Sequence, residues 1–319
     1  MYVARGGIGN EIGRRFHDFF CHMDWNIGIV KEPISVFLEP EAKPTVRWFP
    51  SVGRGRYLAD PFGVVNEGRA YVFCEEFDYQ SYKGVIAQIP LSEDGSPAAR
   101  RTAIEMPFHM SYPYLFEWQG AIYCVPETYQ AQEISLYKAG GFPDSWEKVA
   151  TLVPNFAGVD PTVFTHQGRW WIACTDQRWG ANSGLFLFHA PAPSGPWRPH
   201  LQNPVKKGLK GTRPAGTPFV HKGQLFRPAM DSSRTYGERI MLNRVKRLTP
   251  TDFEEELGGV IEPFENGRYR YGIHTVSAVG SWTLVDGLRV TFEKVEFRRA
   301  WEQHVNEFRG YLTPLWHKS

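Results

Sequence analysis

The sequence lacks several features that would assign it to common classes. No run of about 18 apolar residues occurs in the 319-residue chain, so we expect no membrane-spanning helix. The N-terminus does not show the basic, apolar and small-residue order of a secretion signal. The charges almost balance at +2 without a long like-charge run, which predicts no nucleic-acid partner.

Cysteine is also scarce, with four residues in the chain. No close Cys–His spacing indicates zinc, and we expect no metal and no other cofactor. Cys74, Cys124 and Cys174 fall in equivalent runs of the repeat described below, which predicts buried free thiols in a reducing compartment. The expected location is therefore cytoplasmic.

Aromatic residues, glycine and proline are plentiful instead. Aromatics make up 15% of the chain, and 31 glycines and 24 prolines punctuate many short elements. Aromatic faces suit β-rich proteins and also sugar-binding surfaces. Trp170, Trp171 and Trp179 are candidate stacking platforms, although an adjacent pair on a strand would place one ring in the core.

A unit of about 50 residues recurs along the chain. Each copy opens at a proline, passes a glycine turn and enters a second apolar run that ends in an acidic residue. The opening prolines, Pro61, Pro113, Pro161 and Pro218, are 52, 48 and 57 residues apart. This period fits one four-stranded blade of a β-propeller.

A fifth, divergent copy begins at Gly272 and is predicted to turn at Asp286-Gly287. It is short of strands, so the strand Trp25–Val30 would complete its sheet and close the ring. A β-sandwich with decorated loops is the alternative, but it does not produce a repeat of this length with one internal order.

The predicted fold is therefore all-β: a five-bladed β-propeller with a short N-terminal arm at 4–20 and a C-terminal helix at 297–309. We expect a single domain over residues 1–319. Its approximate blades are 54–106, 107–153, 154–209, 210–262 and 263–296, the last joined by strand 24–31.

The residue that opens each innermost strand of a propeller faces the mouth of the central channel. In the five copies this residue is Asp60, Tyr112, Asp160, Thr217 and Ile273. A single Asp-Pro pair is typical of a turn. Two such pairs in register with a repeat favour a functional site, so we predict that Asp60 and Asp160 share one cleft.

Acidic residues also recur at the ends of the second runs. Their recurrence at one repeat position indicates a structural role for most of them, in turns or in pairs with arginine. Glu127, flanked by Pro126 and Thr128 in an apolar stretch, is the first choice for a working acid, and Glu76 is the second. The full set is Glu75, Glu76, Glu127, Asp176 and Asp231.

Carboxylates at one mouth would suit chemistry on a glycosidic linkage. Glycosyl transfer passes through an oxocarbenium-like state and needs one carboxylate at the anomeric carbon and one protonated acid at the leaving oxygen. A further carboxylate raises the pKa of the acid by repulsion. The predicted catalytic residues are Asp60, Asp160 and Glu127, and the predicted substrate-binding residues are Glu76, Asp176, Arg213, Asp231, Arg234, Tyr236 and His274.

Seven segments stand out along the chain: Leu58–Phe62, Ser111–Pro113, Pro126–Thr128, Val159–Thr162, Arg213–Gly216, Asp231–Gly237 and Ile273–Ala278. Together they resemble one known domain, which lies N-terminal to the transferase module in plant glucosamine inositolphosphorylceramide transferases and also occurs in bacterial proteins. The resemblance covers roughly residues 24–292 and implies fusion to, or association with, a transferase module.

That domain is similar to the five-bladed propellers of arabinanases, β-xylosidases and invertase-like enzymes. The resemblance implies that Asp60 is base or nucleophile and that Asp160 positions the sugar or tunes the acid. In that clan a glutamate opening the fourth blade is the acid, but here Gly216 and Thr217 occupy the position. The acid must then come from another blade, or the leaving group needs no protonation.

Three functional hypotheses remain open from the sequence. The leading one is an enzyme that cleaves or transfers a glycosidic linkage of a furanoside or a cell-surface glycan. The second is a glycosyltransferase or its partner module, in which Arg213 and Arg234 would contact the phosphate of an activated sugar. The third is a propeller that binds a glycan or glycoconjugate without catalysis.

Overall fold

The computed structural model describes residues 21–265 and 267–292. Within these ranges the regular secondary structure is almost entirely β-strand. These ranges contain no α-helix, and their two 3-10 helices, Ile34–Leu38 and Tyr129–Ala131, are short. The predicted N-terminal arm and C-terminal helix lie outside the described residues. No helix in the described ranges has the length and apolar character to cross a membrane.

Two units can be distinguished by their internal contacts. Residues 25–288 form the larger unit, which carries the five sheets described next. The smaller unit consists of the terminal segments 1–24 and 289–319. In its described part, Arg289 Nε donates a hydrogen bond to Asp24 Oδ2 at 3.0 Å.

Strands of two to eleven residues make up the sheets. In chain order they are β1 (Cys21–Val30), β2 (Arg47–Trp48), β3 (Arg56–Asn66), β4 (Arg69–Asp78), β5 (Lys83–Pro90), β6 (Arg101–Ile104), β7 (Ser111–Trp118), β8 (Ala121–Glu127), β9 (Glu133–Gly141), β10 (Ser145–Pro154), β11 (Gly158–His166), β12 (Arg169–Asp176), β13 (Gly184–Ala190), β14 (Arg198–Pro199), β15 (Lys206–Lys207), β16 (Lys210–Pro214), β17 (Phe219–His221), β18 (Gln224–Asp231), β19 (Arg239–Leu248), β20 (Phe253–Ile261), β21 (Val276–Val279) and β22 (Trp282–Phe292).

The strands form five sheets, and the predicted five-bladed β-propeller is confirmed. Blade 1 is β3–β4–β5–β6 and blade 2 is β7–β8–β9–β10. Blade 3 is β11–β12–β13–β14 with β15 also on β13, and blade 4 is β16–β18–β19–β20 with β17 also on β18. Blade 5 has the order β21–β22–β1–β2, so an N-terminal strand completes the sheet that the last strands begin.

The second strand of each of the first three blades carries much of the core. Cys74, Cys124 and Cys174 lie on β4, β8 and β12, and all three are buried free thiols, as predicted. On β12 the two tryptophans separate as alternation requires: Trp171 is buried and Trp170 is only half-buried. Apolar residues of these strands pack against the neighbouring blades.

The first three innermost strands each contain a bulge at the Pro-containing motif. Pairing with the second strand skips between Ala59 and Phe62 in blade 1, and the equivalent skips occur in blades 2 and 3. The residue before each proline has a left-handed backbone, with φ of 51° at Asp60, 45° at Tyr112 and 50° at Asp160. This conformation is costly before proline and re-aims the side chain out of the strand alternation.

At this position Tyr112 has a structural role. Its hydroxyl lies 2.9 Å from Thr162 Oγ1 of blade 3 and accepts a hydrogen bond of 2.7 Å from the Gly216 amide of blade 4. Its ring packs edge-on against Phe62 of blade 1 at 4.7 Å between centroids. The buried tyrosine therefore ties four blades together at the centre of the propeller.

Blade 4 opens without a side chain at the equivalent point. The Thr217 amide donates to the Val276 carbonyl at 3.0 Å, and the Val276 amide donates to the Ala215 carbonyl at 2.9 Å. A Cβ atom at Gly216 would lie 1.6 Å from the Val276 oxygen, and Gly216 has a φ of 126°. The close approach of blade 5 therefore leaves no room at Gly216 for a glutamate.

Candidate active site

Four carboxyl groups are buried together at the openings of blades 1 to 3. Asp60 and Asp160 belong to the bulged motifs of blades 1 and 3. Glu75 and Glu127 lie on the second strands of blades 1 and 2, opposite the residue that precedes the bulged motif of the same blade. After burial itself, the charges of Asp60, Glu127 and Asp160 all raise the pKa of Glu75. Arg213, which binds Asp160, and His274, which lies beside Asp60, are both within 5.4 Å of the Tyr236 ring, so the two aspartates belong to one site.

Asp60 is held by a chain of charged groups from blade 5. Thr275 Oγ1 donates to Asp60 Oδ1 at 2.7 Å, and His274 Nε2 lies 3.2 Å from the same oxygen. Asp286 Oδ2 lies 2.9 Å from His274 Nδ1 on the other side of the ring. Asp286 also accepts the backbone amides of His274 and Thr275 at 2.9 and 3.0 Å, which fixes the segment that presents the imidazole.

These contacts set opposite charges on Asp60 and His274. Burial raises the pKa of Asp60, but His274 and the Thr275 hydroxyl outweigh burial, and the net pKa is lowered. Burial lowers the pKa of His274, but Asp286, Tyr236 and Asp60 outweigh it and raise the pKa well above its ordinary value. The arrangement is an ionised Asp60 beside an imidazolium.

Among the described residues, Asp60, His274 and Asp286 are close enough together to hold a metal ion. Asp60, His274 and Asp286 each offer a ligand atom, and these atoms lie within 4.8 Å of one another. Metal binding requires a neutral imidazole, whereas the two carboxylates favour the protonated form. The three side chains satisfy one another's charge as they stand.

Asp160 is paired with an arginine from blade 4. Arg213 Nε lies 2.5 Å from Asp160 Oδ2 and its Nη2 lies 3.1 Å from Oδ1, so the contact is bidentate. The remaining Arg213 nitrogen, Nη1, donates to Asn182 Oδ1 at 3.3 Å. The guanidinium is nearly buried and is committed to partners within the protein.

Glu127 lies against this pair. Its Oε2 accepts the Asp160 backbone amide at 2.9 Å. Burial and the charge of Asp160 raise the pKa of Glu127 well above its ordinary value, although Arg213 partly offsets them. The protonated form of this buried carboxyl group is therefore favoured beside the Asp160–Arg213 salt bridge.

The structure brings Glu75, rather than Glu76, into the carboxyl cluster. Glu75 pairs with Ala59 in blade 1 as Glu127 pairs with Ser111 in blade 2, so the two glutamates occupy equivalent positions. Glu76 is one residue further and projects to the opposite face of the strand. There Arg100 binds it with its Nε and Nη2, at 2.8 and 2.9 Å.

Asp176 corresponds to Glu76 and not to Glu127. In blade 3 the position opposite Val159 is Thr175, and Asp176 follows it. The Asp176 carboxylate accepts the Arg178 backbone amide at 2.9 Å and also contacts the Arg178 side chain. Asp176 thus organises the turn after β12.

Asp231 and Arg234 are likewise engaged outside the cluster. Asp231 accepts hydrogen bonds from the Ser233 amide at 3.1 Å and from Arg239 Nε at 3.1 Å. Arg234 Nε donates to Glu238 Oε1 at 2.7 Å, and the guanidinium is largely exposed. The two residues stabilise the loop that follows β18.

Tyr236 does lie at the site, between its two halves. Its ring centroid lies 5.3 Å from the Arg213 guanidinium carbon and 5.4 Å from the His274 ring. Burial raises the pKa of Tyr236 to about 12, against the opposing effect of Arg213 and His274. The phenol is therefore a neutral hydrogen-bond donor between the Asp60 and Asp160 sides.

Sequence reasoning missed Asp286 because Asp-Gly is a typical turn signal. The predicted turn at Asp286-Gly287 is wrong, since β22 runs through both residues and the turn lies between Val279 and Trp282. Trp48 and Tyr269 pack against Gly287, where an added Cβ atom would lie 2.4 Å from the Trp48 ring and 2.9 Å from Tyr269. The glycine therefore serves close packing while the buried Asp286 faces His274.

The fold resembles that of solved glycoside hydrolases. A family 117 glycoside hydrolase from Zobellia galactanivorans superimposes with a TM-score of 0.53 at 14% identity, covering 86% of this chain and 91% of its own. The catalytic domain of a GH62 α-L-arabinofuranosidase from Coprinopsis cinerea has a TM-score of 0.51 at 13% identity, covering 76% of this chain and 94% of its own. At these identities the likeness is one of fold.

The family is given by the sequence match. Residues 44–274 match the model of "Glucosamine inositolphosphorylceramide transferase 1, N-terminal", and the chain belongs to this family. Glucosamine inositolphosphorylceramide transferase 1 from Oryza sativa subsp. japonica is 31% identical over 266 residues. The match covers 78% of this chain and 35% of the rice protein, so the chain spans about a third of that relative.

The buried glutamates predict a specific pH dependence of stability. Because burial and neighbouring carboxylates raise the pKa of Glu75, its contribution to stability is fully present below the ordinary value of 4.5 and is lost as the pH rises through the folded value. Glu75→Gln should therefore flatten the decline in unfolding free energy that the unmodified protein shows as the pH rises above 4.5. Urea unfolding across this pH range measures the change.

Glu76→Gln is the matched control. The change is chemically identical and one residue away, but it removes an ion pair with Arg100 on the opposite face. We expect this variant to keep the pH profile of the unmodified protein. Identical profiles for both variants would contradict the assignment of Glu75 to the carboxyl cluster.

Proposed function

We propose that this chain is a carbohydrate-active enzyme that cleaves or transfers a glycosidic linkage at the propeller mouth. The observation that carries the proposal is the division of the buried carboxyl groups into two types. His274 and Thr275 lower the pKa of Asp60 and favour its ionised form, whereas burial and nearby carboxylates raise the pKa of Glu127 and Glu75 and favour their protonated forms. Glycoside chemistry requires this combination of a carboxylate and a carboxylic acid.

The residue roles follow from these charge states. Asp60 acts as nucleophile, or as the base that activates water, because its carboxylate is ionised. Asp160, fixed by Arg213, positions the sugar and maintains the pKa of Glu127. Glu127 donates its proton to the leaving oxygen.

Glu75 is the second candidate for the acid. Its Oε1 atom is buried without a hydrogen-bond partner, and the nearest cation-forming group is His109, whose Nε2 lies 3.6 Å away. An unsatisfied buried carboxyl oxygen is costly, and a catalytic role is one explanation for its retention. The assay below therefore compares the two glutamates directly.

The proposed substrate is a furanoside or a cell-surface glycan, as part of a glycan or glycoconjugate. A nucleotide sugar is less well supported, because both arginines expected to meet a phosphate are paired with carboxylates, Arg213 with Asp160 and Arg234 with Glu238. The relative named above is a transferase of which this chain spans about a third. An association of the chain with a transferase module is part of the same proposal.

The first test removes the charge of Asp60. Asp60→Asn should lower kcat at least about 10³-fold on any glycan that the unmodified protein turns over, while circular dichroism and the urea midpoint show a folded protein. Asp94→Asn is the control, because Asp94 is an exposed aspartate whose side chain bonds to Ser92 and Ser96. Full turnover by Asp60→Asn would contradict the proposal.

A second test identifies the acid. An acid catalyst is needed for a sugar or alcohol leaving group but not for a nitrophenolate, which departs without a proton. Glu127→Gln should therefore lower kcat about 10²–10⁴-fold on natural linkages and much less on nitrophenyl glycosides. If Glu75→Gln shows this pattern and Glu127→Gln does not, the acid is Glu75.

A further inference from the structure

A run of aromatic rings extends from the carboxyl cluster to the surface of blade 1. Tyr57 and Phe77 stack in parallel at 4.9 Å between centroids. Tyr79 contacts Phe77 edge-on at 5.1 Å, and Tyr82 contacts Tyr79 edge-on at 6.1 Å. His109, 6.0 Å from Phe77, lies beside the inner part of the run. We call these five rings the aromatic strip.

The inner end of the strip adjoins the proposed reaction centre. Phe77 follows Glu75 by two residues on β4, so both side chains lie on one face of the strand. His109 connects the two, since its Nε2 is 3.6 Å from Glu75 Oε1. Tyr57, three residues before Asp60, pairs with Phe77 across the strands.

The outer end of the strip is open to solvent. Tyr82 is 61% exposed and has a φ of 49°, an uncommon conformation for a bulky residue. Tyr82 lies in the turn that joins β4 to β5, at the end of the blade 1 hairpin.

The chemistry of the strip favours sugar rings over acyl chains. Three of its members are tyrosines and one is histidine, so four of the five rings combine an apolar face with a polar edge that can bind hydroxyls. A sugar ring presents the same combination of an apolar face and polar edges. An acyl chain would be matched by aliphatic side chains instead.

Trp179 on blade 3, one of the three stacking platforms predicted from the sequence, is a weaker platform than the strip. Its ring is 52% exposed, but the Lys207 ammonium lies over it at 5.7 Å from the centroid. Its other ring contact is with Phe186, edge-on at 6.1 Å. No chain of rings among the described contacts leads from Trp179 to the carboxyl groups.

We propose that the aromatic strip binds the sugar units that continue from the reacting linkage. The proposal rests on the proposed function and deepens it: the preferred substrate is an oligosaccharide or glycan chain rather than a single glycoside. Stacking on successive rings would place the chain along blade 1, with the reacting linkage at Asp60 and the two glutamates.

The test compares substrate lengths. For the unmodified protein, kcat/KM is measured on arabino- and xylo-oligosaccharides of increasing length and on the matching nitrophenyl monoglycosides. The ratio of long to short substrate should fall about threefold to tenfold in Tyr82→Ala and in Tyr79→Ala. Trp179→Ala should keep the ratio of the unmodified protein, which controls for loss of an exposed aromatic ring.

The outcomes separate this proposal from the proposed function. Turnover without a preference for longer substrates overturns the sugar-binding role of the strip while the enzyme assignment stands. The same holds if both tyrosine variants keep the long-to-short ratio of kcat/KM. A ratio lowered only by Trp179→Ala also overturns it. If no glycan is turned over, calorimetry on the same series decides: a length-dependent affinity lost in Tyr82→Ala supports the strip, and no binding overturns it.

Discussion

The whole site depends on burying four carboxyl groups next to one another. Like charges in a desolvated space cannot all ionise, so some groups must find cations and the others must keep their protons. Asp60 and Asp160 have His274 and Arg213 as partners, whereas the pKa values of Glu75 and Glu127 are raised. One physical constraint thus favours both a carboxylate and a carboxylic acid within a single buried site.

The blades repeat one backbone motif, but the residue at the key position of that motif differs from blade to blade. The same left-handed bulge opens blades 1, 2 and 3, but its residue is Asp60, Tyr112 and Asp160 in turn, so two copies supply charge and one supplies a structural tyrosine. Blade 4 has a glycine against the backbone of blade 5 instead. Blade 5, completed by an N-terminal strand, contributes His274 and Asp286, so closing the ring also completes the site.

Much of this could be predicted from the sequence, and the limits have physical causes. The repeat period indicated the number of blades, and the two Asp-Pro motifs indicated Asp60 and Asp160. The choice between Glu75 and Glu76 depends on strand register, since one residue reverses the face, and counting from the turn glycine does not resolve it. Asp286 was hidden in a turn-like dipeptide, and the pairing of Arg234 with Glu238, four residues away, depends on the conformation of the loop that follows β18.

The central claim is that the buried carboxyl groups have divided pKa values. Carbon-13 NMR of protein labelled at the Glu and Asp side-chain carboxyls measures these values directly as the pH is varied, and Glu75→Gln and Glu127→Gln assign the two glutamate signals. The account predicts that both glutamates titrate well above their ordinary value of 4.5 and that Asp60 titrates below its ordinary value of 3.8. Titration of both glutamates at their ordinary value would contradict it.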